Sequence, residues 1–268
     1  MSSYLAESNK TYSNHREVRV QIKTPEDFMN EIKKQRAYYA RTAHKYDATF
    51  TSDPNDGHFM ALSLLSGLLS KLDVKSLLDV GCGTGRAMQY LKENTTNITF
   101  TGLEPVEELR NEALKKGFSN DQIFDGDATQ LPYENNQFDC VSLFGVLHHV
   151  RNPEVAIKEC LRVAKKAIYI SDHNIYGMGS NLTKFGKQAL RDVGLRKLLF
   201  RLMTQGRGYH DTSWDGVFYP FSILDHIPLI QKNVDTVHCY PTRTFAINLY
   251  RDASHVAVLG IKEQLSEC

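Results

Sequence analysis

Leu77-Leu78-Asp79-Val80-Gly81-Cys82-Gly83-Thr84-Gly85 is the stretch on which the reading of this chain turns. The apolar run Ser76–Val80 predicts a strand, and Arg86-Ala87-Met88-Gln89-Tyr90-Leu91 predicts the first turns of a helix. A strand that passes through three glycines into a helix opens a βα unit with a ligand at the turn. Glycine is needed there because the tight turn calls for positive φ and because a Cβ would hold the backbone off the ligand. The spacing G-x-G-x-G is one residue shorter than the G-x-G-x-x-G of dinucleotide binders, which argues against a dehydrogenase. Asp79 closes the strand, and an anion at that point suits a cationic ligand better than a pyrophosphate.

Two further segments extend the pattern. Ile98-Thr99-Phe100-Thr101-Gly102-Leu103-Glu104-Pro105 reads as the second strand, ending on an acid 19 residues beyond Gly85. A carboxylate at that distance can accept from both hydroxyls of a ribose. Glu104 also suits the N-terminus of the helix opened by Val106-Glu107-Glu108-Leu109. Coupled to the glycine turn, the ribose role leads. The third segment is Gln122-Ile123-Phe124-Asp125-Gly126-Asp127-Ala128-Thr129-Gln130-Leu131-Pro132-Tyr133, followed by the strand-like Phe138-Asp139-Cys140-Val141-Ser142-Leu143-Phe144.

Together these resemble motif I (L-D-x-G-x-G-x-G) and the G-D-A-x-x-L-P-[FY]…F-D-x-V run of the class I S-adenosylmethionine-dependent methyltransferases, type 11-like. The resemblance covers residues 36 to 175 well and the rest loosely. It implies an α/β, Rossmann-like, seven-stranded, mostly parallel sheet with a final antiparallel strand slotted in and helices on both faces. An N-terminal helical segment and an inserted helical lid would complete it. The implied cofactor is S-adenosyl-L-methionine, leaving as S-adenosyl-L-homocysteine, with no metal. By the same resemblance Asp79, Gly81, Gly83 and Gly85 form the cofactor turn, and Glu104 with Pro105 meets the ribose. Asp127 accepts the adenine amino group, the Ala128 amide donates to the ring, and Phe144 and Gly145 lie against the cofactor. Tyr38 to Asp47 matches the family's Y-Y-x-R-x-A-x-x-Y-D entry segment, which would bring Arg41 or Tyr46 to the methionine carboxylate. A plain amphipathic helix with its tyrosines on the sheet is the equal alternative. Ile170-Ser171-Asp172-x-Asn174 and the aromatic run Trp214–Ser222 resemble a bacterial branch associated with polysaccharide and O-antigen assembly. Arg162-Val163-Ala164-Lys165-Lys166-Ala167 departs from the usual R-V-L-K-P-G-G, so substrate placement beside the fifth strand is less transferable.

Bulk properties narrow the partners. The 268 residues carry a net charge of +1, so no global field points to nucleic acid or an anionic membrane. Five cysteines without regular spacing argue against a disulfide framework or a zinc site, and Cys82, Cys140 and Cys160 read as packing thiols. The polar N-terminus does not read as a signal peptide, and no run reaches the roughly 18 apolar residues of a membrane span. A cytoplasmic protein is expected; the oligomeric state is not legible. One domain is predicted: residues 1–23 weakly ordered, although Glu17–Lys23 alternates like a strand; helices over 24–72, opened by Thr24-Pro25-Glu26-Asp27; the cofactor core over 76–174; a substrate lid over 175–233; and the last strands over 234–268. Within the lid, Lys184, Lys187, Arg191, Arg196, Lys197, Arg201 and Arg207 interleave with apolar residues, and Gly194 can divide two helices. That pattern reads as a solvated face whose apolar side packs on the core. The sharper reading is a cover that meets an anionic substrate.

Methyl transfer is an in-line displacement that neutralises the sulfonium, so a dry, aligning pocket favours it. A hydroxyl acceptor gains from a base, and three histidines offer one: His149 in Leu147-His148-His149-Val150, His173 in Asp172-His173-Asn174, and His210 in Gly208-Tyr209-His210-Asp211. Adjacent His148 and His149 are metal-ligand types, but neither acid nor cysteine is spaced to complete a site, so no metal is expected. The expected function is methylation of a small-molecule or sugar-conjugate acceptor, at oxygen ahead of the nitrogen of a small amine or amino sugar. The rival of another class is a non-catalytic S-adenosylmethionine-binding regulatory protein. Nucleic-acid methylation is disfavoured by the neutral charge and the absence of an N-P-P-Y-type motif.

Overall fold

Ser76–Val80 forms β1, and its last four residues are all buried, as a strand covered on both faces requires. The computed structural model describes residues 25–49, 57–243 and 248–262; the expected strand over Glu17–Lys23 and the Thr24 cap lie outside them. Two helices precede β1: α1 (Pro25–Thr49), with Glu26 and Asp27 in its first turn, and α2 (Gly57–Lys71). After β1 come α3 (Arg86–Asn94), β2 (Thr99–Leu103), α4 (Glu107–Lys115), β3 (Ile123–Phe124), β4 (Phe138–Phe144), α5 (Pro153–Val163) and β5 (Ala164–His173). The segment that follows holds α6 (Asn181–Asp192), α7 (Arg196–Met203), β6 (His210–Thr212) and β7 (Gly216–Phe218). Strands β8 (Thr236–Pro241) and β9 (His255–Ile261) come last.

The sheet order is β3-β2-β1-β4-β5-β9-β8. β1 to β5 run parallel, and β9 is antiparallel to both β5 and β8, so one reversed strand is slotted in as the resemblance implied. One face is covered by α5 through Ile157, Cys160 and Leu161, the other by α2 and α3 through Leu65, Leu69 and Met88. Cys82, Cys140 and Cys160 are buried free thiols in these layers. No helix among the described residues is long and apolar enough to cross a membrane.

The segment over 175–233 departs from expectation in two ways. It contains a two-stranded ribbon, β6–β7, beside its helices. The apolar side of its helix pair is also not on the core: Leu182 is 80%, Phe185 69% and Met203 72% exposed. With both sheet faces already covered, the pair is held through its cations instead. Lys187 Nζ donates to the Ile175 and Met178 carbonyls (2.9 and 3.0 Å), and Arg196 donates to Pro220 O (3.3 Å) and Asp225 Oδ2 (3.2 Å). Gly194, at φ 73°, separates α6 from α7 as its position in the sequence indicated.

Candidate active site

A cavity of about 610 Å³ opens at the carboxyl ends of β1, β2 and β4, where parallel sheets present their ligands. Its floor is the glycine turn. Gly81 has φ 72°, and a Cβ there would stand 2.5 Å from Val146 Cγ2, so no other residue lets the chain pass. Gly83 has φ 54° and nothing within 4 Å of where its Cβ would be, which leaves bare backbone facing the cavity. Helix α1 closes the other side with Gln35, Arg36, Tyr39 and Tyr46.

Of the residues picked out in the sequence, Tyr46, Gly81, Gly83, Glu104, Pro105, Asp127, Ala128, Phe144 and His149 lie on the cavity wall. Asp79, Gly85, Arg41, His173 and His210 are not among the lining residues. Asp79 is buried behind the turn, where Ser142 Oγ donates to its Oδ1 (2.8 Å). Gly85 packs against Phe118, which a Cβ would meet at 2.9 Å. Arg41 is exposed beside the Tyr38 ring, while Arg36, one turn earlier, faces the cavity. His210 is exposed on β6, edge-on to Phe200.

Glu104 is the acid the cavity does present. Its Oε2 accepts from Gly83 N (3.1 Å) and its Oε1 from Val106 N (2.9 Å). Burial pushes its pKa up to about 7 against the pull of those two N–H groups. Burial likewise raises Asp79 to about 7, with Ser142 opposing and Glu104 adding to the rise. Asp127 accepts from Thr129 N (2.9 Å) and Thr129 Oγ1 (2.6 Å) at Oδ1, and its Oδ2 pairs with Arg36 Nη2 at 3.4 Å.

Past the turn, a polar network joins elements far apart in the chain. Asp172, at the end of β5, accepts from Leu147 N (2.8 Å) and His173 N (2.6 Å) and lies 2.7 Å from His148 Nδ1. His148 Nε2 lies 3.2 Å, and His149 Nε2 3.4 Å, from Asp215 in the β6–β7 turn. His149 Nδ1 is 2.8 Å from the Val217 carbonyl and 2.9 Å from Gln35 Nε2, which also donates to Asp215 O (3.3 Å). Tyr39 Oη stands 2.8 Å from His149 Nε2 and 3.0 Å from Asp215 Oδ1. Burial works against charge on His148, but Asp172 and Asp215 overcome it and raise its pKa to about 9. Burial and the neighbouring His148 charge lower His149 and His173, so both are neutral at pH 7. The histidines hold Asp215 well below the usual carboxylate range against the cost of its burial. His173 meets His148 edge-on (4.2 Å between ring centroids) and lies tilted against His255, behind the wall.

Tyr39, Gln35, Arg36 and Asp215 were not singled out from the sequence. Asp215 follows the histidine pair by 67 positions, so no local spacing links them. The one local sign is Gly216, at φ 69°, whose Cβ would meet Gln35 Oε1 at 2.5 Å: the turn is built for close approach of α1.

Residues 78–170 match the model of the methyltransferase domain family. Ubiquinone biosynthesis O-methyltransferase of Escherichia coli O157:H7 is 24% identical over 203 residues, spanning 74% of this chain and 80% of that protein. A probable (S)-tetrahydroprotoberberine N-methyltransferase of Papaver bracteatum is 30% identical over 110 residues, 39% of this chain and 30% of its own length. Two solved structures share the fold. Magnesium protoporphyrin IX methyltransferase of Synechocystis PCC 6803, with bound S-adenosylhomocysteine, superposes with a TM-score of 0.57 at 17% identity, over 87% of this chain and all of that one. A possible histamine N-methyltransferase of Thermotoga maritima gives 0.55 at 19%, over 85% and 99%.

Proposed function

We propose that this chain, which belongs to the class I S-adenosylmethionine-dependent methyltransferases, methylates a hydroxyl of a small molecule or sugar conjugate held against His149. The observation that carries the choice of oxygen is a neutral imidazole on the cavity wall, its Nε2 2.8 Å from the Tyr39 phenol. Both an O- and an N-methyltransferase are among the relatives, so nitrogen is the rival the experiment must separate.

The wall fits the cofactor. Bare backbone at Gly83 admits a close approach, Glu104 offers acceptor oxygens for ribose hydroxyls, and Asp127 with the Ala128 amide matches the donor and acceptor on one edge of adenine. When bound, S-adenosylmethionine supplies an electrophilic methyl group. The chain's own residues align the acceptor, exclude water and move one proton. The acceptor hydroxyl releases its proton to His149 Nε2, directly or through Tyr39, and Asp215, 3.4 Å away, steadies the imidazolium that forms. A base near neutrality contributes typically 10²–10⁴-fold, with alignment supplying more. At the outer end of the cavity Glu31 accepts from Arg151 Nη1 (2.9 Å) and Tyr219 Oη (2.6 Å), a paired and therefore neutral rim.

Incubation with methyl-labelled cofactor and fractionated small-molecule extract, followed by mass identification of the product, tests this. A methyl ether or ester whose formation falls in His149→Ala supports it. A methylated amine refutes the oxygen assignment, and cofactor binding without product in any extract favours a regulatory protein.

A further inference from the structure

We infer that His148 Nε2, His149 Nε2 and the Asp215 carboxylate form a binding site for one divalent transition-metal ion of the zinc kind, with the Tyr39 phenol on its cavity side. Their ligand atoms, one from each residue, all lie within 4.8 Å of one another. His148 Nε2 lies 3.2 Å from Asp215 Oδ2 and His149 Nε2 3.4 Å from Oδ1, so each imidazole faces one oxygen of the same carboxylate. Two imidazoles and one carboxylate are the donor set that zinc and ferrous iron take.

The outer contacts carry the argument further. A ligating imidazole holds its remaining ring N–H on a carboxylate or carbonyl. His148 Nδ1 lies 2.7 Å from Asp172, which is itself fixed by the Leu147 and His173 amides. His149 Nδ1 lies 2.8 Å from Val217 O. Both rings are thus turned so that Nε2 meets Asp215. Tyr39 Oη stands 2.8 Å from His149 Nε2 and 3.0 Å from Asp215 Oδ1, at the corner left for a fourth oxygen, and both Tyr39 and His149 are on the cavity wall. The second grouping, His148, Asp172 and His173, includes Asp172, whose oxygens already accept two backbone amides.

The inference goes beyond the proposed function. In the loaded protein the ion, rather than His149, lowers the pKa of a bound hydroxyl, with His149 a ligand. The site stands whatever the acceptor.

The test uses the full chain, stripped with a chelator and dialysed, with S-adenosylhomocysteine binding as the check that it is folded. Titration with Zn²⁺, and with Co²⁺ read by visible absorbance, should give one equivalent and a tetrahedral or five-coordinate Co²⁺ spectrum. His148→Gln and Asp215→Asn should each weaken binding by at least about 100-fold. Asp172→Asn, which acts through His148, should weaken it by about 10–100-fold. The inference fails if folded, stripped protein binds less than one equivalent, or if both ligand substitutions leave binding unchanged. Should the variants not fold, the stoichiometry and Co²⁺ spectrum of the unaltered chain still decide. Methylation undiminished in the stripped protein would refute the ion's part in activating the hydroxyl and return the proton to His149.

Discussion

Cofactor affinity should fall as the solution is acidified, with Glu104 setting the point at which it does. Its pKa is raised to about 7 because burial outweighs the Gly83 and Val106 amides. A ribose that donates to this carboxylate binds its ionised form. The affinity penalty is then the factor 1 + 10^(7−pH), about 1.1 at pH 8, 2 at pH 7 and 11 at pH 6, or about 1.4 kcal/mol across that window. Asp79 is raised to the same region, but it lies behind the turn and off the wall. Each of two close carboxylates discourages ionisation of the other, and Asp79, gaining no ligand, is the one expected to keep its proton. Binding therefore releases one proton at most, about half at pH 7.

Calorimetry with S-adenosylhomocysteine at pH 6, 7 and 8, in two buffers of different ionisation heat, reads both the slope and the proton count. Glu104→Gln removes the charge and sets an amide N–H₂ against backbone donors. It should cost about 1.5–3 kcal/mol at pH 8, the range for hydrogen bonds to a charged group, and flatten the profile. Affinity unchanged from pH 8 to pH 6, or a Glu104→Gln variant that keeps the wild-type slope, would refute this account of the carboxylate.

Three further perturbations separate fold from site. Gly83→Val places a side chain in open space on the wall, so cofactor binding should be lost while melting temperature drops only by the strain of φ 54°, about 1–2 kcal/mol; retained binding would move the cofactor elsewhere. Asp79→Asn keeps an acceptor for Ser142 and removes a buried charge. Because the folded pKa is raised, the acid stabilises most below its unfolded value and loses that stability as pH rises through 7. The variant should therefore melt higher than the parent at pH 8 and no higher at about pH 3.5, below the ordinary value of 3.8, with the cofactor absent. Tyr39→Phe removes the phenol between His149 and Asp215, so kcat should fall by about 100-fold with little change in cofactor affinity; equal losses in both would make Tyr39 a packing residue.

How far the molecule could be read in advance depended on the separation of the residues involved. The sheet was legible because each strand declares itself locally: Ser76–Val80 and Phe138–Phe144 are apolar runs, and Gly81 and Gly83 mark a turn whose φ values no other residue accepts readily. The place of Glu104 and Asp127 on the cavity wall was legible for the same reason, since both follow the strands that come after that turn. Asp79 shows the limit of such inference. Its place at the strand end was right, yet the side chain turns inward to Ser142 and leaves the wall to Glu104.

The chemical half of the cavity was hidden because α1, the turn at Leu147–His149 and the β6–β7 ribbon meet there from positions 67 to 182 residues apart. Nothing in Leu147-His148-His149-Val150 indicates that an aspartate 67 positions on will stand beside both rings. That same separation makes the cluster a consequence of the finished fold. Three buried polar side chains and the half-buried Tyr39, from four elements, are satisfied together, so Asp172, His148, Asp215 and Tyr39 also serve to dock the ribbon and α1 onto the sheet. Loss of one partner would leave a buried charge unpaired, which costs more than an exposed contact. Chemistry and closure of the cavity therefore rest on one network. A substitution that alters the proton or ion at His148 must also be read for its effect on how α1 covers the cofactor.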